Sequence, residues 1–258
     1  MDPSTWGLPP YISSPQNYVA GMIIELSTCF VSISLVLRAI AKYKEKKNRI
    51  TVQIIFVFCG FFLGSLLTAL GKVLVVSGLA VYDTVVYELF LDSLAIMALM
   101  ISNTAFFLFT IEVFYNMEPG RRKKSIMIFV SIEIAIAIVG LFVLLLKIRS
   151  TVLKNVLSGG ILAQSVFTYI LLSIKAFKIS RKATGLDKIG IQLVGLAGVL
   201  VITFFVFFAL DVLNLFGWGN MSLFYFISWA IASAGIIVTY MGYFRPTWLL
   251  RRVPAQKS

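Results

Sequence analysis

The chain has 258 residues, of which 59% are hydrophobic and only 13% are charged, and its mean hydropathy is +0.95. This composition excludes an ordinary soluble domain and predicts an all-α, polytopic integral membrane protein. It contains no histidine, which argues against hydrolases that use a Ser-His pair or a His-bound metal. We therefore expect no enzymatic activity, no cofactor and no metal site.

Seven apolar segments follow one another along the chain. A hydrocarbon core about 30 Å thick requires roughly 20 apolar residues in a helix, and each segment reaches that length. The predicted fold is a seven-transmembrane helix bundle over residues 18–244, between an N-terminal segment (1–17) and an amphipathic tail (245–258). The predicted spans are 18–41, 51–76, 90–115, 125–146, 155–177, 189–214 and 221–244.

Positive charges are confined to alternate ends of these spans. All but four of the 23 lysines and arginines lie in residues 38–49, 121–124, 175–188 and 245–257. Because positive residues favour the cytoplasmic side, we expect an extracellular N-terminus, a cytoplasmic C-terminus and a location in the cell membrane. The net charge of +12 is then explained by orientation and by contact with anionic lipid headgroups, and we expect no nucleic-acid partner.

Small residues mark two helix faces. Gly60 and Gly64 form a small-xxx-small pattern in span two, and a similar face in span seven consists of Ser228, Ala232, Gly235, Thr239 and Gly242. Such faces let a neighbouring backbone approach closely. We interpret them as packing within one protomer, with a homo-oligomer contact as the alternative.

A possible internal repeat relates the first three spans to the last three. Residues 49–55, at the start of span two, resemble residues 188–194, at the start of span six. Span four would then link two parallel three-helix units.

Ionisable residues inside the membrane are costly, so they are the best functional pointers in this chain. Glu25 lies within span one and Glu133 within span four, while three more charged residues lie near the predicted outer ends of spans two, three and six. The site hypothesis is an outward-facing pocket, walled by two aromatic residues of span seven and built from Glu25, Lys72, Asp92, Asp211, Tyr225 and Trp229. The alternative is that the outer residues are ordinary water-exposed interface groups.

Polar residues also occur at mid-depth and at the predicted inner surface. Asn103 of span three and Gln164 of span five fall at comparable depth, where interhelical hydrogen bonds would hold the bundle together. Glu112, one turn from the inner surface, is expected to pair with Arg121 or Arg122.

The seven-helix layout resembles that of rhodopsins and G-protein-coupled receptors, but the motifs of those families do not follow. Residues 221–244 contain no lysine for a retinal Schiff base, and Glu112 is not followed by the arginine that marks the receptors. Sugar transporters of the PQ-loop and SWEET type share the three-plus-one-plus-three count and a Pro-Gln pair. Here Pro15-Gln16 precedes span one and has no counterpart in span five.

The C-terminal region resembles a group of archaeal seven-helix membrane proteins that share an aromatic-Gly-aromatic, Pro-x-Trp and basic pattern. In this chain the pattern reads Tyr240-Met241-Gly242-Tyr243-Phe244-Arg245-Pro246-Thr247-Trp248-Leu249-Leu250-Arg251-Arg252. The resemblance implies the seven-helix topology and carries no settled activity.

Three functions remain compatible with the sequence. The preferred one is a receptor or sensor module with an outward-facing pocket and a basic cytoplasmic surface for a protein partner. The second is a small-solute or proton-coupled transporter that uses Glu25 and Glu133. The third is a structural subunit of a membrane complex, which needs no site.

Overall fold

The computed structural model describes residues 15–79, 94–115, 117–145, 151–212 and 221–245. Within these ranges the chain forms seven helices and no strand. They are α1 (Pro15–Lys46), α2 (Arg49–Val76), α3 (Ala95–Phe114), α4 (Pro119–Leu145), α5 (Thr151–Ser180), α6 (Gly185–Val212) and α7 (Leu223–Phe244).

Six of these helices are long and apolar enough to cross a membrane, so the protein is a multi-pass integral membrane protein. No such span is found in the described part of the remaining helix, α4, whose first turns carry the basic run at residues 121–124. The predicted spans correspond to the helices in order, and α1, α4, α5 and α6 begin three to six residues earlier than predicted. The seventh span and the orientation of the termini stay predictions.

Local chemistry fixes the ends of several helices. The side chain of Asn48 accepts a hydrogen bond from the backbone N–H of Ile50 at 2.9 Å and so caps α2. Ser222 caps α7 in the same way through the N–H of Phe224 at 3.2 Å. At its other end α7 stops at Arg245, which adopts a left-handed conformation with φ 46°, and Pro246 follows, a residue that disfavours helical geometry in its predecessor.

Six of the seven described helices form a ring, and α4 lies outside it. Each packs against its neighbours along the chain, and α7 returns to pack against α1. The two halves repeat one pattern, since α2 packs between α1 and α3 while α6 packs between α5 and α7. The seam between α3 and α5 completes the ring, and α4 packs less extensively outside this seam. This arrangement fits the three-plus-one-plus-three expectation, although the proposed sequence repeat stays a prediction.

The small-residue faces do pack within the protomer. A Cβ atom added to Gly60 would lie 2.6 Å from the Cβ of Ser102 and 2.7 Å from the carbonyl oxygen of Ala98, so α2 and α3 touch at backbone distance. At the α6–α7 contact, a Cβ on Gly242 would lie 2.9 Å from the carbonyl oxygen of Gly190. Glycine is required at these two crossings because any side chain would separate the helices.

Apolar side chains fill both the inside and the outside of the bundle. The buried core is rich in aromatic rings, with Phe106 in edge contact with both Phe109 and Tyr169. The outward faces carry exposed apolar residues such as Phe30, Phe142 and Ile174. In water so much exposed apolar surface would be unfavourable, whereas lipid chains solvate it.

The helix junctions that carry most of the positive charge lie together at one end of the bundle. This basic end contains the α1–α2, α3–α4 and α5–α6 junctions and the C-terminus of α7. The other end is called the opposite end below. Residues 1–14 of the predicted N-terminal segment and residues 246–258 of the predicted tail lie outside the described residues.

Candidate functional site

A charged cluster joins α1, α2 and α7 in the half of the bundle nearer the opposite end. The Nζ of Lys72 donates hydrogen bonds to the carboxylate of Glu25 and to the hydroxyl of Tyr225, the latter at 2.7 Å. The hydroxyl of Tyr225 donates to the same carboxylate oxygen of Glu25. Lys72 and Glu25 are each only 1% exposed. We call Glu25, Lys72 and Tyr225 the buried triad.

Opposite charges make this burial tolerable. A single charge at this depth would be very unfavourable, but an ion pair with further hydrogen bonds recovers much of the lost hydration. The triad is close-packed: a Cβ added to Gly21 would lie 3.2 Å from the ring of Tyr225 and 3.9 Å from Cε of Lys72. Glycine at position 21 thus allows α1 to approach the other two helices.

Two polar atoms at the triad and beside it could form further hydrogen bonds. Within the described residues, Oε2 of Glu25 and the indole Nε1 of Trp229 are buried and have no hydrogen-bond partner. Trp229 lies in edge contact with Tyr225, their ring centroids 6.3 Å apart. Such atoms are costly to leave unsatisfied, so the site could accept both a donor and an acceptor from a small polar molecule.

An apolar cluster lies beside the triad towards the opposite end. Tyr18, Val75 and Met221 are buried there against Tyr225 and Trp229. Three of the six residues expected to build the pocket therefore meet directly, and a fourth, Trp229, packs against them. From the side of this apolar cluster, a ligand could reach the triad only if the cluster's side chains moved.

Asp211 lies where α6 ends and α7 begins. Its carboxylate accepts hydrogen bonds from the backbone N–H groups of Met221 and Ser222, at 3.0 and 2.7 Å, and from the hydroxyl of Ser222 at 2.6 Å. These bonds connect the end of α6 to the start of α7, where a negative charge is favoured by the helix dipole. Asp211 is buried rather than water-exposed. Asp92, the remaining residue of the hypothesis, lies outside the described residues.

Glu133 lies in a separate place, on α4 at the α3 side of the bundle. Its carboxylate accepts a hydrogen bond from the hydroxyl of Thr104 on α3. Both residues line a groove of about 400 Å³ between α2, α3 and α4. The remaining lining is almost entirely apolar, and Phe56, Ile101 and Ile134 on its rim are about half exposed. We call this feature the lateral groove.

The mid-depth polar residues join helices, as the sequence predicted, but not each other. The amide of Asn103 donates to Ser165 and its carbonyl oxygen accepts from the hydroxyl of Tyr169 at 3.3 Å, connecting α3 with α5. Gln164 instead donates to the carbonyl oxygen of Phe129 on α4 at 3.3 Å. Sequence reasoning missed Ser165 and Tyr169, although their spacing of four residues on one helix face was a usable signal.

At the basic end, Glu112 collects several partners. Its carboxylate lies 3.0 Å from the guanidinium of Arg122 and 3.8 Å from that of Arg49, and it accepts from the amide of Gln53 at 2.7 Å. Of the two arginines expected to pair with Glu112, Arg122 does so, while Arg121 lies near Glu118. The ends of α2, α3 and α4 are thereby connected.

Comparisons of the chain with profiles of known protein families, with curated proteins and with solved structures find no match. No group of three or more potential metal ligands occurs within the described ranges. The functional argument therefore depends on the residues and their geometry.

Proposed function

We propose that the protein is a membrane sensor: a seven-helix, receptor-like module in which the buried triad is the switch and the basic end contacts a cytoplasmic partner. The observation that carries this proposal is a buried ion pair between α1 and α2, joined to α7 by Tyr225, in which Oε2 of Glu25 has no hydrogen-bond partner among the described residues. An intramembrane charge pair of this kind is a functional candidate by default.

The triad has the properties of a two-state contact. It holds α1, α2 and α7 together in the closed form, and a ligand or proton that satisfied Glu25 differently would weaken its attraction to Lys72. Since α1 ends at the basic end, where a two-residue turn joins it to α2, a change in its packing against α7 would shift the position of residues 42–49. A shift of this size in helix packing is the usual way in which a bundle transmits a signal.

The arrangement at the basic end suits a protein partner of acidic character. Exposed positive residues of the α1–α2, α3–α4 and α5–α6 junctions lie on one surface, and Glu112 connects three of the helices beneath it. Such a surface would steer an acidic partner and hold it in a salt-dependent manner. It would also contact anionic lipid headgroups.

The test couples the triad to the basic end. A photo-crosslinking amino acid at exposed Lys44 would be introduced into the wild type, the Glu25→Gln variant and a variant with Lys42 and Lys47 replaced by glutamine. We expect a cytoplasmic protein that crosslinks in native membranes, whose yield changes several-fold with Glu25→Gln and disappears when the basic residues are neutralised. Crosslinks that are the same in all three proteins would contradict the sensor proposal.

Transport is the second candidate, and the observation that favours it is the presence of two intramembrane carboxylates on opposite sides of the ring. In proteoliposomes, a proton-coupled flux that is lost in both Glu25→Gln and Glu133→Gln would support a transporter instead. A stable stoichiometric complex held through the lipid-facing helices would support the structural-subunit reading and contradict both others.

A further inference from the structure

The lateral groove has the shape of a binding site that opens towards lipid. It lies between α2, α3 and α4, and the exposed residues on its rim, Phe56, Ile101 and Ile134, come from all three helices. Thr104 is nine residues into α3, about 14 Å along the helix axis from its start. The groove therefore opens sideways at mid-depth rather than at either end of the bundle.

The polar atoms of the groove are acceptors. The hydroxyl of Thr104 already donates to Glu133, so the carboxylate is what remains to receive a hydrogen bond. Gln53 also lines the groove and is 6% exposed. Its amide nitrogen donates to Glu112, which orients the side chain, and its Oε1 has no hydrogen-bond partner among the described residues. A buried acceptor of this kind lowers stability until a donor reaches it.

We infer that the lateral groove binds a membrane-soluble alcohol, a long apolar molecule whose hydroxyl donates to Glu133. Its volume of about 400 Å³ is within the usual range for small-molecule sites. A hydroxyl suits the carboxylate in either protonation state. A fatty acid would bring a second carboxylate to Glu133, and like charges at this depth repel strongly.

An ordinary phospholipid cannot satisfy the same contacts. Its headgroup is held at the membrane surface, whereas Glu133 lies eight residues beyond Ser125, the start of the predicted span, about 12 Å along the helix. A phospholipid chain could fill the apolar part of the groove but has no donor to offer at that depth. The hydroxyl, rather than the chain, is therefore what the groove would recognise.

The test uses purified protein in phosphatidylcholine nanodiscs and a hexadecanol analogue that carries a diazirine in its chain. After irradiation, mass spectrometry locates the labelled peptides. We expect saturable labelling of α2, α3 and α4. Unlabelled hexadecanol should compete at least about tenfold better than hexadecane or palmitic acid, since one hydrogen bond to a charged group is worth that factor or more.

Variants of Glu133 separate recognition of the hydroxyl from simple filling of the groove. Glu133→Leu should abolish the preference for hexadecanol over hexadecane. Glu133→Gln keeps an acceptor but removes the charge, so it should still prefer the alcohol and should lose the discrimination against palmitic acid. These ratios are measured within each folded variant and do not depend on its stability.

A matched pair on α4 tests the location. Ala137→Phe would fill the groove and should prevent labelling, whereas Ile138→Phe changes the next residue, which is 49% exposed and outside the lining, and should label like the wild type. Equal competition by hexadecane and hexadecanol in the wild type would mean that bilayer chains alone occupy the groove, and would overturn the inference. Unchanged labelling of a folded Ala137→Phe protein would also overturn it. Neither result bears on the triad, so the sensor proposal stands or fails separately.

Discussion

Glu25 and Glu133 are the same kind of residue in contrasting surroundings. Glu25 is 1% exposed, is paired with Lys72 and lies in the seam between α1, α2 and α7. Glu133 is 6% exposed, has the hydroxyl of Thr104 as its donor, and lines a groove beside α4, the least tightly packed helix. The two residues show two ways to place a carboxylate within a membrane helix. Glu25 is neutralised by a positive charge between packed helices, whereas Glu133 lies where a neutral ligand or a proton can reach it.

The largest effect on stability is expected when one charge of the triad is removed, which tests whether Glu25 depends on its counter-charge. Lys72→Met should lower the free energy of unfolding by about 3–5 kcal/mol, because Glu25 would remain buried without its counter-charge. The double variant Glu25→Gln/Lys72→Met should recover most of the loss. Thermal unfolding in matched detergent micelles measures both. If the double variant were no more stable than the single one, the pair would not be coupled as described.

The next effect sharpens the contrast between tight and loose packing. Gly60→Ala should destabilise the protein by about 1–3 kcal/mol, because the added methyl group would overlap with Ser102 and the backbone of Ala98 in the α2–α3 seam. Gly140→Ala on α4 is the control, since nothing lies within 4 Å of the added atom. It should leave the melting temperature unchanged or slightly raised. Equal destabilisation by the two changes would mean that α4 is packed as closely as α2.

A smaller effect is expected at the lateral groove. Thr104→Val removes the donor to Glu133 and keeps the side-chain shape, so it should cost about 0.6–2 kcal/mol, the usual range for an interhelical hydrogen bond in membranes. Glu133→Gln can still accept from Thr104 and should change stability less than Glu25→Gln does. The comparison of these two Gln variants is the informative measurement, and a larger effect at Glu133 would reverse the distinction drawn above.

The smallest effect is expected at the basic end. Arg122→Ala should cost no more than about 1 kcal/mol, because Glu112 keeps Arg49 and Gln53 nearby and the surface pair is screened by water and salt. Arg121→Ala, a neighbouring and largely exposed arginine, should have no measurable effect. Unfolding at low and high salt checks the assignment, since the Arg122 effect should shrink as salt rises.

Much of the fold could be predicted from the pattern of residues along the chain, because helix length and close packing depend on residues that are near one another in the sequence. Apolar length predicted the helices to within a few residues at most ends, and the small-residue faces predicted close packing. The number of residues from a turn also predicts which site residues meet. Glu25 and Lys72 are separated from the Lys47-Asn48 turn by almost the same number of residues, and Thr104 and Glu133 lie in a similar way on either side of the α3–α4 junction. Antiparallel neighbours joined by a short turn must meet at the same depth.

Contacts between helices that are distant in the chain could not be predicted from the sequence. Tyr225 is 200 residues from Glu25, and Tyr169 is 66 from Asn103, so these partners depend on how the ring closes at the α1–α7 and α3–α5 seams. Asp211 was expected in the pocket, and its carboxylate accepts hydrogen bonds from the N–H groups of Met221 and Ser222, ten and eleven residues further along the chain. Helix rotation and seam geometry decide such outcomes.

The sequence alone determined that this is a membrane protein with long apolar helices and with positive charge confined to alternate helix ends, because hydrophobic length and charge act locally along the chain. Only the tertiary structure decided which intramembrane acid is sealed and which borders an opening. That choice depends on the rotation of each helix about its axis and on the close contacts at glycines, and a few ångströms of packing separate a buried ion pair from a lipid-facing groove.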